Sequence, residues 1–264
     1  MPTLNSAATL DGTLMSLTAS PDIRVIVADS FSTDETPRIC GRWNVEVISV
    51  PPGNMYQAIN EGLRLATSEW LAYVNSDDWV FTGAYMKMLQ EASARQASLA
   101  YGNTDYVDSG GRFVFSFRAA PAEAAPTILR SGIMPFSQPA AIYRRTVFQA
   151  LNGFDERYRS ASDFDFFCRA ALMGFQFHRY QTQPVVAFRV QEGLGARHPE
   201  WNEEEKKLIL ERLQPAPGIS GKWARVLWSL SNTVPYFARV LRSPDLFGGF
   251  SFQRNSGLPP KSGE

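Results

Sequence analysis

The sequence predicts an α/β protein built on a doubly wound, mostly parallel sheet with helices on both faces and further helices at its C-terminal end. Three observations carry that expectation. Short apolar runs at residues 23–28, 45–50 and 70–74 have the length and residue types of buried strands. Between the second and third runs, Met55, Ala58, Ile59, Gly62, Leu63 and Ala66 recur at helical spacing, which predicts a helix over 55–67. Strands that alternate with helices are the pattern of crossover connections, and those build parallel sheets.

The first run leads into a polar turn at Asp29–Asp34 that can start a helix. Thr82 can cap a helix reaching about residue 97, and a strand begins at Leu99. The second half reads differently. Residues 104–117 form a hairpin that turns at Ser109-Gly110-Gly111. A short strand at 140–143, a turn at 152–155 and a helix over 162–173 follow. Segments 175–180 and 185–190 are separate strand candidates, and 199–213 is an amphipathic helix. Beyond about residue 248 the chain is rich in Gly, Ser, Pro and Lys and reads as a disordered tail.

A length of 264 residues accommodates one large domain or two small ones. The formal net charge is zero, so no electrostatic footprint points to nucleic acid. Cys40 and Cys168 lack metal-ligand spacing and are too few for a disulfide framework, so both read as buried small hydrophobes. Residues 1–5 have neither the basic region nor the apolar core of a signal peptide. No stretch reaches the ~18 apolar residues of a spanning helix. The expected location is cytoplasmic. Segment 222–242 mixes Trp223, Leu227, Trp228, Leu230, Tyr236, Phe237 and Leu241 with Lys222, Arg225, Arg239 and Arg242. It reads either as a peripheral helix at the inner face of a membrane or, slightly favoured, as a helix packed on the domain.

Asn75-Ser76-Asp77-Asp78 follows the 70–74 run directly. Adjacent carboxylates repel and resist desolvation, so they call for a partner, and a divalent cation bridging to a phosphate supplies one. A solvated turn or helix cap is an equal alternative on these residues alone. Asp29 also falls at a predicted strand end, where ligands of such sheets bind, and could contact a base or ribose or serve as a turn acid. Ser162-Asp163-Phe164-Asp165 opens a helix. Acids there complement the helix dipole, and Arg169 can pair with Asp165 four residues away, so position alone favours a structural role. A general base at this point requires the helix start to face Asp77. No phosphate loop, dinucleotide fingerprint or histidine-based triad is present.

Taken in order, these segments resemble the family 2 glycosyltransferases of GT-A fold. Pro2-Thr3-Leu4-Asn5 is similar to the family's opening Pro-Thr-x-Asn. Residues 25–36 resemble its nucleotide-binding strand and turn, and residues 53–78 the approach to its DxD-type metal motif. Tyr101-Gly102-Asn103, Gly110-Gly111, Gly153-Phe154-Asp155-Glu156, residues 162–169 and Phe188-Arg189 complete the set. The nearest likeness is to the branch that builds bacterial exopolysaccharide, capsule and O-antigen. It covers residues 1–200, with a nucleotide-sugar half (1–100), an acceptor half (101–200) and a helical extension at 201–247.

The resemblance implies an inverting transfer from a nucleotide-diphosphate sugar to a hydroxyl of a glycan or lipid-linked acceptor, assisted by Mg²⁺ or Mn²⁺. It implies that Thr3, Asn5, Asp29 and Asn60 line the nucleotide-sugar pocket. Asp77 would bind metal and diphosphate with Asp78 beside it, Asp163 would deprotonate the acceptor, and Asp165 would orient the site or the helix start. The sequence departs from the family in four places. Only Met1 precedes the Pro-Thr-x-Asn segment, so either the start is misplaced or the first strand is truncated, which would leave the pocket poorly supported. Asn75 and Ser162 stand where many members carry acids, and Gln191 where many carry His. Two other readings remain open: a nucleotidyltransferase, disfavoured because residues 5–10 offer no basic group for a triphosphate, and a catalytically weak nucleotide-sugar-binding subunit.

Overall fold

The computed structural model describes residues 1–190 and 199–213, together with Val226, Trp228 and Leu230. The chain begins with β1 (Pro2–Thr3), α1 (Leu10–Thr18), β2 (Ile26–Asp29), α2 (Thr36–Trp43), β3 (Glu46–Ser49) and α3 (Met55–Leu65). β4 (Trp70–Leu71), β5 (Trp79–Val80), α4 (Thr82–Ala94), β6 (Leu99–Val107) and β7 (Phe113–Phe117) follow. After them come α5 (Ala125–Arg130), β8 (Ala141–Arg144), α6 (Arg145–Ala150), α7 (Ser162–Leu172), β9 (Phe177–Arg189) and α8 (Pro199–Leu213).

The α/β class is as expected, but the sheet is mixed and split in two. β1, β2 and β3 pair in parallel, with Thr3 opposite Asp29. The second sheet runs β4-β8-β6-β9-β5, with β7 also on β6. Only β6–β9 is parallel there, and its other pairs are antiparallel. The tight hairpin between β6 and β7 accounts for one antiparallel pair, because such a turn can join only antiparallel neighbours. An apolar cavity of about 470 Å³ lies between β2 and β4, lined by Val25, Ile26, Leu63, Trp70, Leu71 and Tyr85 among others.

Three further expectations change. The short first strand exists: Pro2–Thr3 itself pairs with β2, and the Ala28 N–H donates to the Met1 carbonyl (2.8 Å). The strand expected at 70–74 is ladder-paired only at Trp70 and Leu71. Beyond it the Gln138 amide donates to the Tyr73 carbonyl (2.9 Å), so a side chain replaces the next strand pairing. The two strand candidates at 175–180 and 185–190 are one strand, β9. Its register against β6 jumps from Tyr101↔Arg179 to Asn103↔Pro184, so the polar segment between them is a bulge. Pro184, which has no N–H, sits where the ladder is already interrupted.

The main core is aromatic. Phe154 stacks on Phe166 (centroids 4.5 Å apart) and meets Tyr73 edge-on (5.3 Å), while Tyr101 stacks on Phe136 (4.2 Å). Cys40 and Cys168 are buried free thiols, as expected. α8 does not stand apart as an extension. Its Ile209 is fully buried in the aromatic core, and Leu210 and Leu213 pack against it. Among the described residues no helix is long and apolar enough to cross a membrane.

Candidate active site

The carboxyl ends of β1 and β2 carry two loops that bind each other. The Asn5 N–H donates to Ser32 Oγ (2.8 Å), and Asn5 Oδ1 accepts from the Thr33 N–H (2.9 Å). The Ser6 N–H donates to Thr36 Oγ1 (2.8 Å), and the Ala7 N–H to Asp34 Oδ2 (3.0 Å). Asp29 is nearly buried and holds its own turn, accepting from the Ser32 N–H (3.0 Å) and hydroxyl (2.5 Å). Thr3, its neighbour across the parallel pair, is also buried. The two expected nucleoside residues on the strands are therefore in register. Asn5 is exposed, and its side chain is spent on the loop.

Phe31 sits in the same turn, and no sequence pattern marks it. It is 57% exposed and its φ is 58°, a region that favours glycine. A bulky residue held there costs on the order of 1–3 kcal/mol, a form of strain that clusters at binding sites.

The acids at 75–78 lie not at a strand end but in a turn between β4 and β5, closed by the Asp78 N–H donating to the Asn75 carbonyl (3.3 Å). The turn separates the roles of the two carboxylates. Asp77 is half-buried, and its backbone carbonyl accepts from Arg189 Nε (3.2 Å). Asp78 is buried inward, where it accepts from the Arg189 N–H (3.3 Å) and from Asn75 Nδ2 (3.4 Å). Burial, reinforced by the charge of Asp77, pushes the Asp78 carboxyl well above the usual range. Asp78 thus supports the turn. Ser76 donates to Ser6 Oγ (2.7 Å), which ties the acidic turn to the first nucleoside loop.

A divalent cation fits this turn in a restricted way. Among the described residues no cluster of three acid, His or Cys ligands forms. Asn75 Oδ1 is buried without a partner, and Asp77 supplies a carboxylate. That is the donor set of an ion held by one carboxylate while phosphate oxygens and water supply the rest.

Asp163 lies in the first turn of α7, half-buried. Its Oδ1 accepts from the Phe164 N–H (2.8 Å) and is 3.4 Å from the Tyr56 hydroxyl, which donates also to the Ser160 carbonyl (3.1 Å). Burial pushes the Asp163 carboxyl up, against the lowering effects of the Phe164 N–H, Lys206 and Tyr56. Tyr73 links the two acidic centres. Burial raises its phenol well above the usual value, and after Tyr56 both Asp163 and Asp78 add to the rise. The start of α7 and the 75–78 turn thus lie within electrostatic reach of one buried ring.

Two expected site residues have their side chains bonded within the fold. Asp165 is fully buried and bonds Arg169 Nε (2.7 Å) and Arg212, while Arg169 reaches the Leu151 and Gly153 carbonyls. This ties α7 to α8 and to the loop before it. Asn60 is buried and its amide is used up by that loop. It donates to the Phe154 carbonyl (2.8 Å) and Glu156 Oε1 (2.8 Å) and accepts from the Phe154 N–H (2.9 Å). Gly153, at φ 74°, permits the approach, because a Cβ there would stand 2.7 Å from Asn60 Oδ1. Asn60→Ala should therefore cost about 3 kcal/mol of stability through unpaired loop groups, seen as a lower Tm. Donor KM should stay unchanged in the folded variant. A large KM rise at unchanged Tm would return Asn60 to the pocket.

The model of Glycosyl transferase family 2 matches residues 1–151. The chain belongs to glycosyl transferase family 2. Over 191 residues it is 28% identical to the succinoglycan biosynthesis protein ExoO of Rhizobium meliloti (strain 1021), covering 64% of this chain and 54% of that protein. The chain thus spans about half the length of that relative. Among solved structures, S. aureus TarS 1-349 in complex with UDP-GlcNAc superposes with a TM-score of 0.63 at 21% identity, covering 79% of this family 2 chain and 63% of that one. The mannosyltransferase PcManGT from Pyrobaculum calidifontis, in complex with GDP-Man and Mn²⁺, superposes at 0.58 with 17% identity, covering 94% and 74%. These likenesses show the GT-A fold expected from the sequence.

Sequence reasoning missed the residues that bind the site from a distance. Tyr56 was visible only as an apolar helix position, and Arg189 only as the end of a resemblance. Glu205 and Arg212 on α8 gave no local signal at all. Gln191 and His198 lie outside the described residues.

Proposed function

We propose that this chain transfers a sugar from a nucleotide-diphosphate donor to a hydroxyl of a glycan acceptor, with inversion at the anomeric carbon. The observation that carries the reading is the tie between the acidic turn and the nucleoside loops, Ser76 to Ser6 Oγ (2.7 Å), beside strands that set Thr3 opposite Asp29. Thr3 and Asp29 form the floor of the nucleoside site, with the 30–36 turn as its rim. Asp77 holds the diphosphate end through a divalent cation. When bound, that cation neutralises charge building on the departing nucleoside diphosphate. Asp163 takes the proton of the acceptor hydroxyl as its oxygen bonds to the anomeric carbon. The bond from that carbon to the diphosphate breaks on the opposite face. A carboxyl raised by burial suits this work, because its basicity lies nearer the operating pH.

Support for the substrates comes from the relatives. TarS and PcManGT are solved with UDP-GlcNAc and GDP-Man, and ExoO is named for a polysaccharide. We place this chain in surface-polysaccharide synthesis, on an acceptor that is lipid-linked. Residues 222–242 lie outside the described residues except Val226, Trp228 and Leu230. Trp228 meets Phe117 edge-on (5.7 Å) and donates to the Arg118 carbonyl (3.1 Å), which favours packing on the domain over membrane contact.

The test is release of nucleoside diphosphate from a panel of UDP- and GDP-sugars with Mn²⁺ or Mg²⁺. Metal-dependent release from at least one supports the enzyme. Tight nucleotide binding with no release from any, with or without a glycan acceptor, identifies a binding subunit instead. Phe31 offers a separate check, since its strained and exposed ring is placed to cover the base. Phe31→Gly should raise the Tm while weakening UDP or GDP binding about tenfold, a loss in the range of one aromatic–base stack. Unchanged nucleotide affinity removes the ring from the site.

A further inference from the structure

The geometry points to Glu205 as a positioning residue for Asp163, acting from α8 through the backbone that leads into α7. The inference rests on the reading of Asp163 as the base. Glu205 Oε1 accepts from the Arg159 N–H (2.7 Å), and Oε2 accepts from the Ser160 and Ala161 N–H groups (2.9 Å each). One carboxylate thus satisfies three consecutive donors more than forty residues away in sequence.

The helix start has no cap of its own. Ser162 is the first residue of α7, and its buried hydroxyl has no partner. The preceding residue, Ala161, has no side chain able to cap. Unanswered N–H groups at a helix start carry positive partial charge and seek an anion. From outside the helix, Glu205 answers the Ala161 N–H at the N-cap and the two N–H groups before it, while Asp163 answers the Phe164 N–H. The rest of α8 holds the same segment. Asn202 Nδ2 donates to Ser160 Oγ (2.9 Å), and the Arg159 guanidinium lies over the Trp201 ring (5.3 Å).

Without Glu205 those donors lose their anion, and a turn of the Asp163 carboxylate toward them, two residues beyond Ala161, would draw it out of its working position. The groups that act on Asp163 come from three other elements. They are Tyr56 on α3, Tyr73 after β4 and Lys206 on α8, with Cys168 on its own helix, while Glu205 acts on the Tyr56 hydroxyl that meets Asp163. Removing the Glu205 charge leaves the donors and Lys206 to stabilise the Asp163 anion, so its titration moves to lower pH.

The experiment compares wild type, Glu205→Gln and Glu205→Ala in the full chain. The Asp163 carboxyl is titrated by ¹³C NMR, with its resonance assigned through Asp163→Asn. Nucleoside diphosphate release is measured with the nucleotide sugar that wild type turns over fastest. We expect a lower Asp163 midpoint in Glu205→Gln. We also expect turnover down roughly 10- to 100-fold, as for a displaced catalytic group, with donor KM within about twofold. Glu205→Ala should show the larger loss. Where Glu205→Ala fails to fold, Glu205→Gln, which keeps an acceptor oxygen, decides alone. A lower Tm with unchanged Asp163 titration and turnover overturns the inference and leaves Glu205 as support for the fold. Undiminished release by Asp163→Asn instead sinks the base assignment itself, so the two failures are distinct.

Discussion

Asp163→Asn is expected to lower sugar transfer by roughly 10²- to 10⁴-fold, the contribution of a positioned general base. The amide keeps the size of the carboxyl and can still accept from the Phe164 N–H, so the Tm and donor binding should hold. What is lost is proton capture. The wild-type rate should rise with pH through a midpoint above the ordinary aspartate value of about 3.9, because burial pushes the Asp163 carboxyl up. The base works only when ionised, so activity falls as pH drops through that raised midpoint. In Asp163→Asn the limb should vanish with the activity. Turnover profiles of both proteins from acid to neutral pH check the sign as well as the size.

Asp77→Ala should remove the response to metal. With wild type, release of nucleoside diphosphate should climb with Mn²⁺ and saturate. The variant should lose about 10²- to 10³-fold in turnover, the scale of one lost group that stabilises charge in the transition state. Nucleoside affinity without metal should change little, because Thr3, Asp29 and the 30–36 turn stand apart from this carboxylate. Calorimetric titration of UDP with and without Mn²⁺ separates the two terms. A variant whose UDP affinity still rises with Mn²⁺ as in wild type places the cation elsewhere. Asp78→Ala has a different signature, loss of stability first, because it removes the acceptor for the Arg189 N–H.

Most of the fold was legible where a signal is local. The helix over α3 follows from the spacing of Met55, Ile59 and Leu63, and α8 was expected over the residues it occupies. The hairpin at residues 109–111 follows from Gly110-Gly111. What the sequence could not show was pairing. Nothing local reveals that β9 is one strand, since Pro184 and its polar neighbours look like a break and only the partner strand β6 makes them a bulge. Nor does a short apolar run reveal that β4 stops at Leu71 because Gln138 takes the next carbonyl.

The candidate site divides along the same line. Asp77 and Asp163 drew notice as paired acids, but the roles proposed for them came from the resemblance. Asn60 was carried in by resemblance, and only the three-dimensional loop around Phe154 shows its amide fully used. Asp165 had a visible local partner in Arg169, but its second partner, Arg212, lies 47 residues on. Glu205 was invisible for the same reason: a carboxylate that caps someone else's helix leaves no mark on its own.

The central claim is that Asp77 and Asp163 face one bound donor, the first at its diphosphate and the second at its sugar. Paramagnetic broadening by Mn²⁺ tests it most directly. In the complex with UDP and Mn²⁺, the ¹³C carboxyl signal of Asp77 should broaden beyond detection, as for a metal ligand. That of Asp163 should broaden measurably but survive, and Asp22, on the surface between α1 and β2, should stay sharp. An Asp163 signal as sharp as that of Asp22, or an Asp77 signal that persists at saturating Mn²⁺, would contradict the account.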